Sequence, residues 1–300
     1  MLRRHQWDWL GQQPLSSCLL LIDHADADVM TLGFELLEAH AELNSAPIAT
    51  WLTRLDGDNF DRLERLSALL EKGLDPARVP LTGLIQLTSH RSLPVARLGL
   101  TLLRRLPTLG PDNVSDLLPL AQAECASLRI EIATWLRDFL QQHAQSTGDG
   151  MLELLDSKFS ETRAIGWTWL QDSPQHNDPA IWQKLLESPY DDIKLSLIAN
   201  LSKLAESANQ DMICWLWASV LLNLHGGGRY KAGVVKQITA RLGKHDSETE
   251  RLLPLLTIAV RSLRGPEFRT GLRAVVTLFE TKPGLREAIT KLFPELQIGV

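Results

Sequence analysis

The feature that most constrains this chain is a column of residues that returns about every 33 positions: Thr31, Arg65, Arg97, Arg129, Arg163 and Lys194, at steps of 34, 32, 32, 34 and 31. Lys231 and Arg269 continue it more loosely, at steps of 37 and 38. The clearest internal match sets Val29–Leu37 against Val95–Leu103, where valine, leucine, glycine and the closing Leu-Leu coincide at an offset of 66. Self-similarity at this period is the mark of a solenoid, in which each unit buries its apolar faces only against its neighbours.

Each anchor opens an apolar pattern with spacings of two, three and four, as in Ile130, Ile132, Ala133, Trp135 and Leu136, or Leu195, Leu197, Ile198 and Leu201. Such spacings fit one broad face of an α-helix. A second apolar run precedes each anchor, at Leu81–Leu87, Leu117–Ala123, Met151–Leu155 and Ile181–Leu186. Short turns with Ser, Pro or Asp separate the two, at Ser92–Pro94, Ser157–Glu161 and Ser188–Asp192. The unit therefore reads as helix, turn, helix. Asp28, Ser92, Ser127, Ser160 and Asp191 are expected as N-caps of the second helices. A basic residue in the first helical turn opposes the helix dipole, so its expected role is a hydrogen bond or ion pair to the next unit's turn. Leu100, Ile132 and Leu197 share one place after the anchor and are expected in the core between consecutive units.

The copies Pro94-Val95-Ala96-Arg97, Ser127-Leu128-Arg129, Glu161-Thr162-Arg163 and Asp191-Asp192-Ile193-Lys194 resemble the second helices of the HEAT-repeat (armadillo-like) family, which begin with an acidic or polar residue, a Val and an Arg or Lys. The resemblance covers residues 15–210 well. It implies an all-α fold, an α-solenoid of about seven to eight stacked antiparallel helical pairs. One domain is expected over residues 1–300, with regular repeats at 15–210 and diverged, more basic repeats and a cap at 211–300. A repeat motif of this kind specifies a fold and leaves function to particular side chains.

No stretch reaches the ~18 consecutive apolar residues of a membrane span, and Leu15–Ile22 is too short and too polar for a secretory core. Cys18, Cys125 and Cys214 are widely spaced and odd in number, a pattern without zinc or disulfide spacing that suits a reducing compartment. A cytoplasmic location with no membrane contact is the expectation. Charge is divided unevenly: residues 1–224 hold 18 basic and 29 acidic side chains, a net of −11, while residues 225–300 hold 13 and 7, a net of +6. Arg229, Lys231, Lys236, Arg241 and Lys244 follow one another with no acid among them. They are the candidate binding residues, for an anionic contact at the C-terminal end.

His225-Gly226-Gly227-Gly228 lacks the Gly-x-Ser-x-Gly partner of a hydrolase and the Gly-Lys-Ser/Thr of a phosphate loop. It reads as a turn between helices, with anion binding at the following helix start as the sharper alternative. The pairs Trp7/Trp9, Trp167/Trp169 and Trp215/Trp217 are two apart and so cannot face one another; one ring of each helical pair belongs in the core and the other near a surface. Asp23-His24-Ala25-Asp26-Ala27-Asp28 and Asp56-Gly57-Asp58-Asn59 lack the ligand pattern of a calcium loop and read as caps and turns. No catalytic residue, metal, cofactor or small-molecule substrate is indicated. The expected function is a non-catalytic interaction or scaffold protein that binds a protein partner on its solenoid surface. The alternative is a nucleic-acid-binding enzyme resembling the alkyl-purine DNA glycosylases with HEAT-like repeats, on the echo of Trp169 with Asp172. The acidic balance of residues 1–224 opposes that alternative, because duplex binding draws on phosphate neutralisation.

Overall fold

The computed structural model describes residues 7–143, 147–207, 210–222 and 228–296. Among them stand eighteen α-helices, a few 3₁₀ turns and no strand. The chain folds as two units, Met1–Trp169 and Leu170–Val300, with the division falling inside one helix.

In the first unit a short α1 (Trp7–Gly11) precedes α2 (Leu15–Ile22), α3 (Ala27–Glu38), α4 (Ile48–Leu55), α5 (Phe60–Gly73), α6 (Leu81–Thr88), α7 (Leu93–Arg105), α8 (Val114–Leu117), α9 (Arg129–His143), α10 (Thr147–Leu155) and α11 (Ser160–Asp172). The helices pair as α2/α3, α4/α5, α6/α7, α8/α9 and α10/α11. The second unit holds α12 (Pro179–Glu187), α13 (Asp191–Ser207), α14 (Gln210–Leu222), α15 (Gly228–Leu242), α16 (Thr249–Val260), α17 (Gly265–Thr281) and α18 (Arg286–Leu292). Its pairs are α12/α13, α14/α15 and α16/α17, closed by α18. In each unit a second helix packs on the next second helix, as α5 does on α7 and α15 on both α13 and α17. The fold is all-α and built from repeated antiparallel pairs, as the 33-residue column predicts. The first helix of the fourth pair is broken: Pro119 removes an amide donor, and Leu118–Gln122 continues as a 3₁₀ turn.

The glycines shared at the offset of 66 are where the two helices of a pair come closest. A Cβ on Gly33 would lie 2.7 Å from the Ile22 backbone nitrogen, and one on Gly99 would meet the backbone of Leu87 and Thr88. The same place is filled by Gly166, against Leu154 and Leu155, and by Gly271, whose Cβ would lie 2.8 Å from the Val260 nitrogen. In each case the neighbour is the last turn of the partner helix. Ser67 takes the place in the second pair and is buried.

Leu100, Ile132 and Leu197 are all within 2 % of full burial, as the register predicts. Ile130 and Leu195 depart from the sequence expectation: they are 59 % and 52 % exposed and face outward rather than into the core. On α13, packing against α12 and α15 still leaves one stripe in water. The N-caps are shifted as well. Asp26, not Asp28, caps α3, its Oδ1 accepting from the amides of Asp28 (2.9 Å) and Val29 (3.2 Å). Ser92 holds the cap position of α7 without a side-chain bond, and Ser160 and Asp191 are already helical.

The turns contain a regularity that the sequence reading missed. His24 Nδ1 accepts the amide of Asp26, and His90 Nδ1 accepts the amide of Ser92, each at 3.0 Å. The two imidazoles are 66 residues apart and close the turn before the second helix in equivalent pairs. The anchors are held in three ways. Arg129 is buried over the Phe159 ring at 3.4 Å, gives Nε and Nη2 to the carbonyls of Ala123 and Glu124 (both 3.1 Å) in its own turn, and reaches Glu161 of the next pair at 3.2 Å. Arg163 Nη1 donates to the Ser157 carbonyl of its own turn at 2.8 Å. Arg65 Nη1 reaches back to Thr31 Oγ1 of the preceding pair at 2.8 Å, joining two members of the column directly.

Candidate interaction surface

The five basic residues singled out by the sequence do not share one role. The His225–Gly227 turn and the Arg229 side chain lie outside the described residues. Lys231, on the first turn of α15, is buried. Its Nζ lies 3.2 Å from Glu267 Oε2 at the start of α17, so this anchor links two consecutive pairs. Ser262 Oγ donates to the same carboxylate at 2.6 Å, and Arg264 stands 3.6 Å from its other oxygen. Burial pushes the Glu267 carboxyl up, but Ser262, Lys231 and Arg264 together outweigh it and hold the group below the usual carboxylate range. Arg241 forks onto Glu248 at 2.5 and 2.7 Å, and Gln210 adds a donor at 3.0 Å. The Arg241 hydrogen bonds hold the Glu248 carboxyl low. Lys231 and Arg241 are therefore spent on internal acids. Lys236 and Lys244 are exposed, and no ion pair is found for either among the described residues.

Exposure along the second helices of this unit follows the helical repeat. On α13 the exposed positions are Asp191, Leu195, Ala199 and Lys203; on α15, Lys236 and Ala240, with Lys244 just beyond the helix; on α17, Arg269, Arg273, Thr277, Glu280 and Thr281 after its first turn. Steps of four keep each set on one side of its helix. Because α13 packs on α15 and α15 on α17, the three stripes form one outward face. Its cations are Lys203, Lys236, Lys244, Arg269 and Arg273, none of them ion-paired among the described residues. Its acids are Asp191 at one margin and Glu280 at another.

The Lys231–Glu267 pair and the bond from Gln237 Nε2 to the Ile198 carbonyl (2.7 Å) fix the heights of the three helices. Lys236 is five residues past Lys231 and Arg273 six past Glu267, rises of roughly 7.5 and 9 Å at 1.5 Å per residue. Leu195 stands three residues before Ile198 and Lys236 one before Gln237, an offset of about 3 Å, less than one helical turn. One row across the face thus reads Leu195, Lys236, Arg273, with Arg269 a helical turn below Arg273. The sequence reading missed Lys203 and Arg273 in this role. The signal that finds them is the i, i+4 exposure of a helix packed on both flanks, which a count of charges per segment does not contain.

Beneath the start of α15, Leu186, Lys194, Leu197, Ile198, Val220, Tyr230 and Lys231 line a cleft of about 320 Å³ measured to its open mouth. In the first unit the second helices show both signs, with Glu64 and Arg65 exposed on α5 and Glu161 on α11. The acidic turns there are occupied by partners: Asp23 takes Arg54 at 3.1 Å and Arg62 at 3.3 Å, and Asp58 takes Arg91. Trp169 and Trp217 are buried and Trp215 is exposed, so the tryptophan pairs divide between core and surface. No described helix is long and apolar enough to cross a membrane.

No family model matches the chain, and no curated protein matches it. Fourteen solved chains match by structure. One is an engineered protein at 12 % identity, with 93 % of this chain and 81 % of that one covered and a TM-score of 0.35. Another comes from work on tubulin recruitment and assembly by microtubule polymerases with tumor overexpressed gene (TOG) domain arrays, at 13 % identity, 97 % and 86 % coverage and a TM-score of 0.39. The fold assignment rests on the helical pairs themselves.

Proposed function

We propose that this chain is a non-catalytic interaction protein of HEAT-like type, which binds a protein partner on the outward face of its second helices and makes an anionic contact in the unit Leu170–Val300. The observation that supports this reading is the cluster of five exposed cations, on α13, α15 and α17 and just beyond α15, for which no ion pair is found among the described residues, while Lys231, Arg241, Arg251, Arg261, Arg264 and Lys282 of the same unit have acidic partners and the exposed Lys184, Arg286 and Lys291 stand on other helices. A face that carries five uncompensated cations favours association with an oppositely charged surface and speeds encounter with it. In this reading the anionic contact involves Lys203, Lys236, Lys244, Arg269 and Arg273, of which Lys236 and Lys244 are among the residues expected from sequence.

Affinity capture with the full chain, with nuclease treatment before elution, tests the proposal. The expected result is a stoichiometric protein partner retained after nuclease and released by moderate salt. Retention that depends wholly on nucleic acid would overturn it.

A further inference from the structure

Resting on that reading, we infer that the partner contributes a short extended acidic segment that crosses α13, α15 and α17 along the row Leu195, Lys236, Arg273. Neighbouring packed helices stand about 8–10 Å apart, so the row spans roughly 16–20 Å. A strand-like segment rises about 3.3 Å per residue and points alternate side chains the same way, so six or so residues cover the row with three side chains facing it. One falls beside Leu195 and is apolar; the next two fall beside Lys236 and beside Arg269 and Arg273, and are carboxylates. Arg269 and Arg273 are i, i+4 neighbours, close enough for both guanidinium groups to serve one carboxylate.

Two observations favour an acidic protein segment over nucleic acid. The stripes carry Leu195, Ala199, Ala240 and Thr277 between the cations, and the exposed ring beside them, Phe268, sits in the first turn of α17 before the row rather than between its cations, so no run of rings is there on which successive bases would stack. Residues 1–224, α13 included, carry a net of −11, which disfavours a long polyanion more than a short one.

The probe is a fluorescein-labelled peptide of about eight residues, alternating Glu and Ser with a leucine at one end, a length set by the strand rise. Its anisotropy is titrated with the full chain beside a single-stranded and a duplex DNA of matched label. The peptide is expected to bind, to weaken steeply between 50 and 300 mM salt, and to lose about tenfold or more in affinity with the double variant Lys236→Glu/Arg273→Glu. Leu195→Ser is expected to weaken the peptide that carries leucine and to leave an all-polar version unchanged. Lys291→Glu, on exposed α18 and off the row, is the control and is expected to change binding little. Equal peptide affinity in parent and double variant overturns the inference, as does tighter binding of either DNA. If the captured partner is held equally by the double variant, this surface is wrong and the interaction function stands; if no partner is captured, the function itself falls.

Discussion

At the scale of single residues, most of what holds the pairs in register is side chain to backbone. Arg129 shows the hierarchy. Two of its three polar contacts are turn carbonyls and the third is the half-exposed Glu161. Removing the guanidinium strands buried carbonyls, which costs about 1–3 kcal/mol for a buried group left unsatisfied, whereas an exposed ion pair contributes little. Arg129→Met is therefore expected to lower the denaturant midpoint clearly, and Glu161→Gln to leave it near the parent value; equal losses would show that the ion pair dominates. His90 gives a second residue-scale test. Its Nδ1 accepts the Ser92 amide, so the fold needs the neutral ring. Burial, with Arg91 alongside, outweighs the pull of Asp56 and Glu124 and holds its pKa below the ordinary histidine value. A histidine with a depressed folded pKa leaves the unfolded chain binding more protons as pH falls below about 6.5. Stability from this site is then present above that pH and declines on acidification towards the folded pKa. Asn at position 90 offers an Oδ1 that accepts the same i+2 amide without titrating. His90→Asn is expected to flatten the stability profile between pH 7 and 5; an unchanged profile would remove His90 as its source.

At the scale of elements, the close crossing at Gly33, Gly99, Gly166 and Gly271 makes the helical hairpin, rather than the single helix, the structural unit. Gly99→Ala places a methyl against the Leu87 and Thr88 backbone, and backbone cannot step aside as a side chain tip can. A loss of about 1–3 kcal/mol or more is expected, the cost of overpacking, although alanine is the better helix former. Ile132→Ala is expected to cost on the order of 2–5 kcal/mol, as at other packed core sites; both are read from equilibrium unfolding. These elements were legible because the pattern of anchors and apolar residues is the pattern of burial: Leu100, Ile132 and Leu197 came from spacing alone. Ile130 and Leu195 were misjudged because the periodicity marks a broad apolar face without saying how far neighbouring second helices wrap around it. The caps slipped by one or two positions because several Asp and Ser residues precede each helix, and only the backbone angles select one. For the surface, the basic segment was visible and its pairing was not. Glu248 and Glu267 lie 7 and 36 residues from the cations they neutralise, a relation that only the packing of α15 against its neighbours creates.

At the scale of the whole molecule, cations that look alike in sequence separate into two kinds with opposite expected phenotypes. Lys231→Glu would bury a second carboxylate against Glu267, and breaking a buried pair in this way costs about 3–5 kcal/mol. Lys231→Glu is therefore expected to lower the melting temperature sharply. Lys236→Glu is expected to leave melting unchanged and weaken partner capture. Thermal melts and capture measured on the same two variants check this; matching behaviour would mean that the buried and exposed cations do not differ in role. The bonds between consecutive pairs carry a further consequence. Arg62 to Asp23 and Gln237 to Ile198, at 39 residues, are among the widest of them. Each closes a loop of about one hairpin, and loop-closure entropy grows only with the logarithm of loop length. Within either unit, ordering the next hairpin thus carries nearly the same entropic cost as ordering the last, so its refolding rate is set by the first hairpin to form and not by how many follow.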